Sequence, residues 1–376
     1  MVDDFAVVQN CFNLYEIFLI DMNEKKTLLG LSVAELGVVA EECGMPRFAA
    51  RQMADWMYKK RVLSVDAMTN LSKRSREILS ENYELGVRTF VDVQISRDGT
   101  KKYLFPASCG GFVETVYIPD GKRATLCVSS QVGCKMRCGF CLTGRQGFGG
   151  QLTVCDILNQ IVSVPETETL TNIVFMGQGE PMDNYDNVLC ATDVLTSADG
   201  FAMSPKRITV SSVGVLPALN RFCRESRCNI AISLHSPFHE ERMEMMPIEK
   251  AYAVADVVDM LGKCEEFRDC RGGLQRETSH QRRLSFEYVL LKGKNDSRAH
   301  ADAIVSLLRG IDCRVNLIPF HSYEGADFKS PAQADTAQFC EYLNSRGLNT
   351  TVRLSRGRDI SAACGMLAAK TANKEK

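Results

Sequence analysis

Three cysteines in one short stretch are the strongest chemical signal in the sequence. Cys134, Cys138 and Cys141 are separated by three and then two residues. A helix or a strand cannot aim all three thiols at one place, whereas a loop can wrap them around a metal centre. Three thiolates are one fewer than the four that fill a [4Fe–4S] cluster, so one iron would stay open to a small molecule. Structural zinc is the alternative, but it uses four ligands in paired spacings, and no second C-x-x-C pair occurs.

The composition indicates a protein of a reducing compartment. The chain has 376 residues, 16 cysteines and a net charge of −1. No apolar run reaches the length of about 20 residues that a membrane helix needs. Residues 1–21 are apolar in part, but Glu16 interrupts them and no basic residue precedes them, which makes a poor signal peptide. We expect a cytoplasmic protein whose first 21 residues are an extension outside the fold.

Positive charge is concentrated in one helical region. Residues 45–76 contain eight basic and two acidic residues, a net charge of +6 in a chain that is otherwise near neutral. Ser32 is placed to cap one helix and Pro46 to open the next. The excess charge fits either contact with an RNA backbone or a solvated helix face.

From residue 124 onward, apolar strand-like runs alternate with helical stretches, which predicts a parallel sheet. Six such repeats fit an incomplete (βα) barrel better than a doubly wound sheet. The predicted strands are 124–128, 172–176, 207–210, 229–233, 285–290 and 314–318. Residues 88–119 read as short strands joined by turns, and residues 263–283 as an exposed, charged insertion.

Polar residues cluster where these strands end. They are the loop of Cys134, the pair Gly179-Glu180, Ser211, the stretch Ser233-Leu234-His235, and Asn316. Each has an ordinary structural explanation by itself, such as a turn, a cap or a core histidine. Barrel chemistry, however, gathers at the carboxyl ends of the strands, so the set predicts a site there.

Two further residues stand out. Glu114 falls among apolar positions of a strand, where a carboxylate is costly unless it has a partner or a task. Cys364 precedes Gly365 near two arginines and is either an exposed, activated thiol or a small buried residue.

The sequence resembles the RlmN/Cfr family of radical S-adenosylmethionine (SAM) ribosomal RNA adenine methyltransferases over residues 28–370. The motifs that carry the resemblance are Arg123-Ala-Thr-Leu-Cys127-Val-Ser-Ser-Gln-Val-Gly-Cys134, Gln146-Gly-Phe148, Gly179-Glu-Pro-Met-Asp-Asn, Ile208-Thr-Val-Ser211, Ile232-Ser-Leu-His235, Asn316-Leu-Ile-Pro and Asp359-Ile-Ser-Ala-Ala-Cys364-Gly. The sequence departs from this pattern at Gln178, where relatives often have methionine.

The resemblance implies a domain organisation. It comprises an extension at 1–27, a helical RNA-binding accessory domain at 28–87, a short β extension at 88–121, a partial radical SAM (βα)6 barrel at 122–355 with the insertion 263–283, and a tail at 356–376.

The resemblance also implies site roles. Cys134, Cys138 and Cys141 hold the [4Fe–4S] cluster. The SAM pocket is lined by Gly179, Glu180, Ser211, Ser233, Leu234, His235 and Asn316. Cys364 becomes S-methylated and carries the methyl group, Cys127 resolves the intermediate through a transient disulfide with Cys364, and Glu114 accepts a proton.

The implied reaction methylates carbon 2 of adenine in 23S rRNA, and of the adenine beside the anticodon in tRNA. It uses two SAM molecules per turnover, a 5′-deoxyadenosyl radical and a covalent protein–RNA adduct. An electron donor such as flavodoxin and a monomeric state are also expected. The alternatives are carbon-8 methylation of the antibiotic-resistance type, a different radical SAM reaction such as activation of another enzyme, and a non-catalytic zinc or RNA-binding protein.

Overall fold

The structure, a computed structural model, describes residues 25–267, 282–323 and 326–367. The predicted extension at 1–21 and residues 268–281 of the predicted insertion lie outside these ranges. The described residues form two compact units, the first ending at Gly86 and the second beginning at Val87.

The first unit is helical with one small parallel sheet. The sheet pairs β1 (Lys26–Thr27) with β2 (Tyr83–Glu84). The first described helix, α1 (Val33–Glu42), begins with a capping box in which Ser32 and Glu35 bind each other's backbone N–H groups. This confirms the prediction that Ser32 caps a helix.

The second helix of this unit begins later than predicted. It is α2 (Ala49–Ala54), which continues as a π-helical turn at Asp55–Lys59. Pro46 lies in the preceding turn, where its carbonyl accepts a hydrogen bond from the N–H of Ala49. The last helix, α3 (Lys73–Asn82), is capped by Ser72.

The second unit is built on a ten-stranded sheet with helices between its parallel strands. Its strands are β3 (Asp92–Ile95), β4 (Lys101–Pro106), β5 (Phe112–Asp120), β6 (Arg123–Cys127), β7 (Gln131–Gly133), β8 (Phe148–Gln151), β9 (Asn172–Phe175), β10 (Ile208–Ser212), β11 (Asn229–Ser233), β12 (Leu284–Leu290), β13 (Arg314–Pro319) and β14 (Thr350–Val352). Its α-helices are α4 (Leu142–Arg145), α5 (Val154–Val162), α6 (Tyr185–Thr196), α7 (Leu216–Glu225), α8 (His239–Met245), α9 (Val254–Lys263), α10 (Arg298–Leu307) and α11 (Gln333–Ser345). Strands β7 and β8 form a separate hairpin-like pair.

The order of the large sheet is β14-β13-β12-β11-β10-β9-β6-β5-β4-β3. The strands from β6 to β13 in this order are parallel, and they are the six that the sequence predicts. The seventh parallel strand, β14, pairs with β13. It lies within the predicted barrel range but was not among the six predicted strands, since three residues give little periodicity. The sheet is open between β14 and β3, as expected of an incomplete barrel.

Residues 88–121 extend the same sheet rather than forming a separate layer. Strands β3, β4 and β5 are antiparallel to one another, and β5 pairs with β6. Both ends of the predicted insertion 263–283 also belong to the fold, because Phe267 and Arg282 are buried. Within the described ranges, no helix has the length and apolar character needed to cross a membrane.

Candidate active site

The carboxyl ends of the parallel strands surround a cavity, here called the upper cavity. Most of the site residues predicted from the sequence line it. They are Cys134, Cys138, Cys141, Gly179, Glu180, Ser211, Ser233, His235 and Cys364. Leu234 is buried behind the wall, and Asn316 lines a second cavity below. Glu114 and Cys127 lie on neighbouring strands outside the lining.

The three-cysteine loop is folded against the rest of the unit. The N–H of Cys134 donates to the carbonyl of Gly147 at 2.8 Å, and that of Gly139 donates to Met245 at 2.9 Å. Burial raises the pKa of Cys134 to about 12 and raises that of Cys138 well above its usual value. Thiols in such a place ionise when a metal centre stabilises the thiolate.

All three thiols of the loop line the upper cavity. Among the residues described, no three histidine, cysteine or acidic side chains are grouped closely enough to hold one metal ion. A zinc ion draws all of its sulfur ligands to about 2.3 Å from one point. In a [4Fe–4S] cluster each cysteine binds a different iron, and three thiols that line one cavity fit such a cluster.

Gly179 allows the loop after β9 to approach the backbone of Gln131 closely. Its φ is +98°, and a Cβ there would lie 2.7 Å from the backbone nitrogen of Gln131. The next residue, Glu180, receives hydrogen bonds on its carboxylate from the N–H groups of Met182 at 3.0 Å and Val213 at 2.9 Å. Burial raises the pKa of Glu180 to about 7, although these hydrogen bonds oppose the shift. A carboxyl group held this way suits an ammonium group in the cavity.

His235 is held as a neutral ring. Its Nδ1 accepts a hydrogen bond from the N–H of Val289 at 2.9 Å, so the ring proton is on Nε2. Burial, with the charge of Arg242, lowers the pKa of His235 to about 3. The ring meets Phe140 edge to face, with 4.7 Å between centroids. His235 therefore contributes an uncharged donor to the upper cavity.

Arg242, which was not predicted as a site residue, binds several backbone carbonyls next to the lining of the upper cavity. It is fully buried and donates to the carbonyls of Leu234, Val213 and Ser233 at 2.8 to 2.9 Å. Its remaining partner is the carboxylate of Glu249. A helix that reads His239-Glu-Glu-Arg looks solvent-exposed, and only the fold reveals that Arg242 points inward.

The C-terminal tail is bound beside the three-cysteine loop. The N–H of Leu142 donates to the carbonyl of Gly365, and the hydroxyl of Thr143 donates to that of Leu367, both at 2.8 Å. Leu142 and Thr143 directly follow Cys141. These contacts bring the side chain of Cys364 to the cavity wall, next to Gly365.

The tail also packs against Cys127. Ala362 and Leu367, on either side of Cys364, share an apolar cluster with Cys127. Both cysteines are free thiols. Burial raises the pKa of Cys127 to about 12, the charge of Cys364 adds to this, and the nearby Arg353 opposes it. Arg353 lines the upper cavity and was not predicted as a site residue.

Glu114 lies on β5, in a polar group next to Cys127. The register pairs Val116 with Cys127, so Glu114, two residues before Val116, is on the same face of the sheet. Its carboxylate forms a 2.9 Å ion pair with Lys102, and both side chains are buried. The amide oxygen of Gln178, the residue that departs from the family pattern, accepts from the N–H of Glu114 at 3.2 Å.

Two parts of the chain match known families. Residues 26–85 match the ribosomal RNA large subunit methyltransferase N-terminal domain, and residues 128–301 match the radical SAM superfamily. The second match defines the class of the larger unit: it is a radical SAM domain, and such a domain uses a [4Fe–4S] cluster and SAM.

Whole proteins are similar over nearly the full length. The chain is 53% identical over 351 residues to a probable dual-specificity RNA methyltransferase RlmN from Bacteroides fragilis, covering 93% of this chain and 98% of that protein. It is 39% identical to the dual-specificity RNA methyltransferase RlmN of Marinobacter nauticus, covering 93% and 95%. A radical SAM methyltransferase from Sphaerobacter thermophilus superposes with a TM-score of 0.84 at 37% identity, covering 92% of this chain and all of that one. The chain belongs to the RlmN family of radical SAM RNA methyltransferases.

Proposed function

We propose that this protein methylates carbon 2 of an adenine in 23S rRNA and of the adenine beside the anticodon in tRNA, with Cys364 as the methyl carrier. The observation that supports this most directly is the position of Cys364, which lines the same cavity as the three cysteines of the cluster loop. The relatives named as dual-specificity RNA methyltransferases support the choice of RNA and of two substrates.

Cys364 performs the first transfer. Carbon 2 of adenine is electron-poor and does not attack the methyl group of SAM. The sulfur of Cys364 is a far better nucleophile and takes that methyl group by displacement, which leaves an S-methylcysteine. Cys364 is exposed, so the cavity gives its sulfur room for the methyl donor.

Cys134, Cys138 and Cys141 hold the cluster, and the residues opposite them bind SAM. When bound there, a cluster would supply the electron for cleavage of a second SAM, and the 5′-deoxyadenosyl radical so formed would take a hydrogen atom from the S-methyl group. Glu180 presents its carboxyl group to the amino group of SAM, and the neutral His235 donates a hydrogen bond without adding positive charge. Ser211 and Ser233 add hydroxyl groups to the same wall.

Glu114 and Cys127 release the product. After the methylene radical on Cys364 has added to the ring, one electron must leave the adduct, which the cluster would take back, and Glu114 removes the proton from carbon 2. The thiolate of Cys127 then bonds to the sulfur of Cys364 as the bond from that sulfur to the methylene carbon breaks, and this carbon keeps the electron pair and takes a proton to become the methyl group of the product. The disulfide between these two cysteines must be reduced before the next turnover. The packing of Ala362 and Leu367 against Cys127 supports such a pairing.

The first unit suits a sequence-independent contact with RNA phosphates, because residues 45–76 carry a net charge of +6. An adenine inside a base stack cannot reach a cavity among strand ends, so the target base must be unpaired or turned out of its stack. We also propose that the protein acts as a monomer in the cytoplasm and receives electrons from a donor such as flavodoxin.

The test is anaerobic reconstitution with 23S rRNA fragments and tRNA, using SAM with a labelled methyl group. We expect about four irons per chain and labelled 2-methyladenosine in digests of both RNAs. Intact-mass measurement should also find a methyl group on Cys364 before RNA is added.

The matched control is another exposed cysteine. Cys364→Ala should abolish both the methylated protein and the methylated RNA, whereas Cys109→Ala, at an exposed thiol outside the upper cavity, should retain both. An 8-methyladenosine product would overturn the choice of carbon 2. Methyl transfer by Cys364→Ala would overturn the role of Cys364.

A further inference from the structure

Four arginines stand where strands of the barrel begin. Arg123 and Arg314 are the first residues of β6 and β13, and Arg207 and Arg283 directly precede β10 and β12. Each is two residues before a small polar residue on the same strand face, since side chains alternate along a strand. These partners are Thr125, Thr209, Ser285 and Asn316. The arginines therefore form a charged layer at the amino-end mouth of the barrel, opposite the upper cavity.

The charges of this arginine layer converge. Arg123, Arg283 and Arg314 line one cavity, here called the lower cavity. Burial and the charges of Arg314, Arg123 and Arg207 lower the pKa of Arg283, which means that all four guanidinium groups act on one region.

The arginine layer has no balancing carboxylate among the residues that the structure describes. Other arginines of this unit do have one: Arg353 lies 3.7 Å from Glu287, and Arg356 lies 3.1 Å from Asp120. Among the described residues, the four guanidinium groups of the layer make one hydrogen bond, which Arg283 donates to the backbone carbonyl of Lys206 at 3.0 Å. Converging cations without a counter-ion favour the binding of an anion.

Hydroxyl and amide side chains line the inner part of the lower cavity. Thr209, Ser285, Asn316 and Thr351 line it above the arginine layer. Its inner end is formed by Met176, Glu287 and Arg353, which also line the upper cavity. One carboxylate oxygen of Glu287 accepts from Asn316 at 2.8 Å and from Ser285 at 3.0 Å. The other oxygen lies 3.7 Å from the guanidinium of Arg353 and accepts no hydrogen bond from the residues that the structure describes, so the anion would bind at the arginine end of the cavity, away from Glu287.

We propose that the lower cavity binds a small, multiply charged phosphate compound of the size of pyrophosphate or a nucleoside diphosphate. Guanidinium groups pair with phosphate oxygens through two parallel hydrogen bonds, and several of them meet here around one opening. An RNA strand presents its phosphates one after another along a line, whereas these arginines surround a cavity. The site is separate from the proposed SAM pocket and does not depend on the proposed reaction.

The experiment is calorimetric titration of the cluster-loaded protein with pyrophosphate and, separately, with ADP. Saturating SAM is present throughout so that the upper cavity is filled. We expect one molecule bound per chain, with an affinity that falls as salt is added. Tighter binding of ADP than of pyrophosphate would assign a nucleotide, and the reverse order would assign an inorganic phosphate.

Arg123→Gln and Arg314→Gln should each weaken this binding by about tenfold, because each removes a charge-assisted contact. Arg298→Gln is the matched control. It removes the same charge from the start of α10, where Arg298 packs 4.8 Å from the ring of Tyr342, outside both cavities. Thermal unfolding of each variant checks that it is folded.

Three results would overturn the proposal. The first is that neither compound binds the wild-type protein at millimolar concentration. The second is that Arg298→Gln weakens binding as much as Arg123→Gln and Arg314→Gln, here called the mouth variants. The third is that the mouth variants lose affinity for RNA while neither small phosphate binds, which would make the arginine layer an RNA contact.

Discussion

Lys102 and Glu114 form a buried ion pair between neighbouring strands, with 2.9 Å between Nζ and Oε1. Lys102 is on β4 and Glu114 on β5, and both side chains are less than a tenth exposed. A carboxylate in such a buried place is costly without a partner, and Lys102 supplies one. The pair thus links the stability of the sheet to the proposed role of Glu114.

Removing one member of this pair should cost more than removing both charges. Lys102→Met leaves the buried carboxylate without its cation and should lower the free energy of unfolding by about 3 kcal/mol. Adding Glu114→Gln to that variant should restore much of the loss, since no buried charge remains. Urea unfolding of the wild type, both single variants and the double variant measures this. A double variant at least as unstable as the sum of the two single ones would contradict the expectation.

Variants of Arg242 can separate an effect on SAM binding from an effect on the stability of the fold. Arg242→Met removes the cation beside Glu249 and three hydrogen bonds to carbonyls, and should lower the free energy of unfolding by about 3 to 5 kcal/mol. Arg242→Lys keeps the charge but cannot reach the carbonyls of Val213, Ser233 and Leu234 together. It should therefore regain part of the stability yet still bind SAM more weakly than the wild type. Equilibrium dialysis with labelled SAM tests this, and wild-type affinity in Arg242→Lys would show that Arg242 does not position the wall.

His235 should make stability depend on pH in a defined direction. Its pKa is about 3 in the folded protein and near 6.5 as an ordinary histidine. In the unfolded chain, His235 therefore binds a proton below about pH 6.5, whereas in the folded chain it does so only near pH 3. This contribution to stability is complete above pH 6.5 and is lost as the pH falls towards 3, with a slope of up to about 1.4 kcal/mol per pH unit.

His235→Gln lacks that proton, so its stability should fall less steeply between pH 6.5 and the lowest pH at which both proteins still fold. Urea unfolding of both proteins over this range gives the two slopes. Parallel curves for wild type and variant would mean that His235 is not buried in its neutral form.

The sequence was most informative where function depends on local spacing. The loop of Cys134, Cys138 and Cys141 and the tight turn at Gly179 depend on neighbouring residues, and the sequence predicted both as site elements. The six central strands could be predicted because they are continuous apolar runs, as buried parallel strands are. The edge strand β14 has two exposed residues among its three, which resembles an ordinary loop.

Residues that act through distant partners were missed for a physical reason. Lys102 is one of two adjacent lysines in an ordinary strand pattern, and only pairing of β4 with β5 brings it to Glu114. Arg242 and Arg353 look like surface residues along the chain. Each becomes a buried or cavity-lining cation only when the barrel brings strand ends together, so local pattern carries no signal for them.

Arg353 provides the most direct test of how the two thiols cooperate. Burial and the charge of Cys364 raise the pKa of Cys127, and the positive charge of Arg353 works against that rise. Arg353→Gln should raise the pKa of Cys127 further and leave less thiolate to break the bond between Cys364 and the RNA-bound carbon. Because a thiolate of higher pKa is also more nucleophilic, the net slowing is about threefold for each unit of pKa.

The covalent protein–RNA adduct should then persist longer in this variant and decay faster as the pH is raised, as followed by gel shift under denaturing conditions. Arg356→Gln removes the same charge from a nearby residue, which pairs with Asp120 instead, and should leave the decay unchanged. If adduct decay in Arg353→Gln matches the wild type at every pH, Arg353 does not assist Cys127.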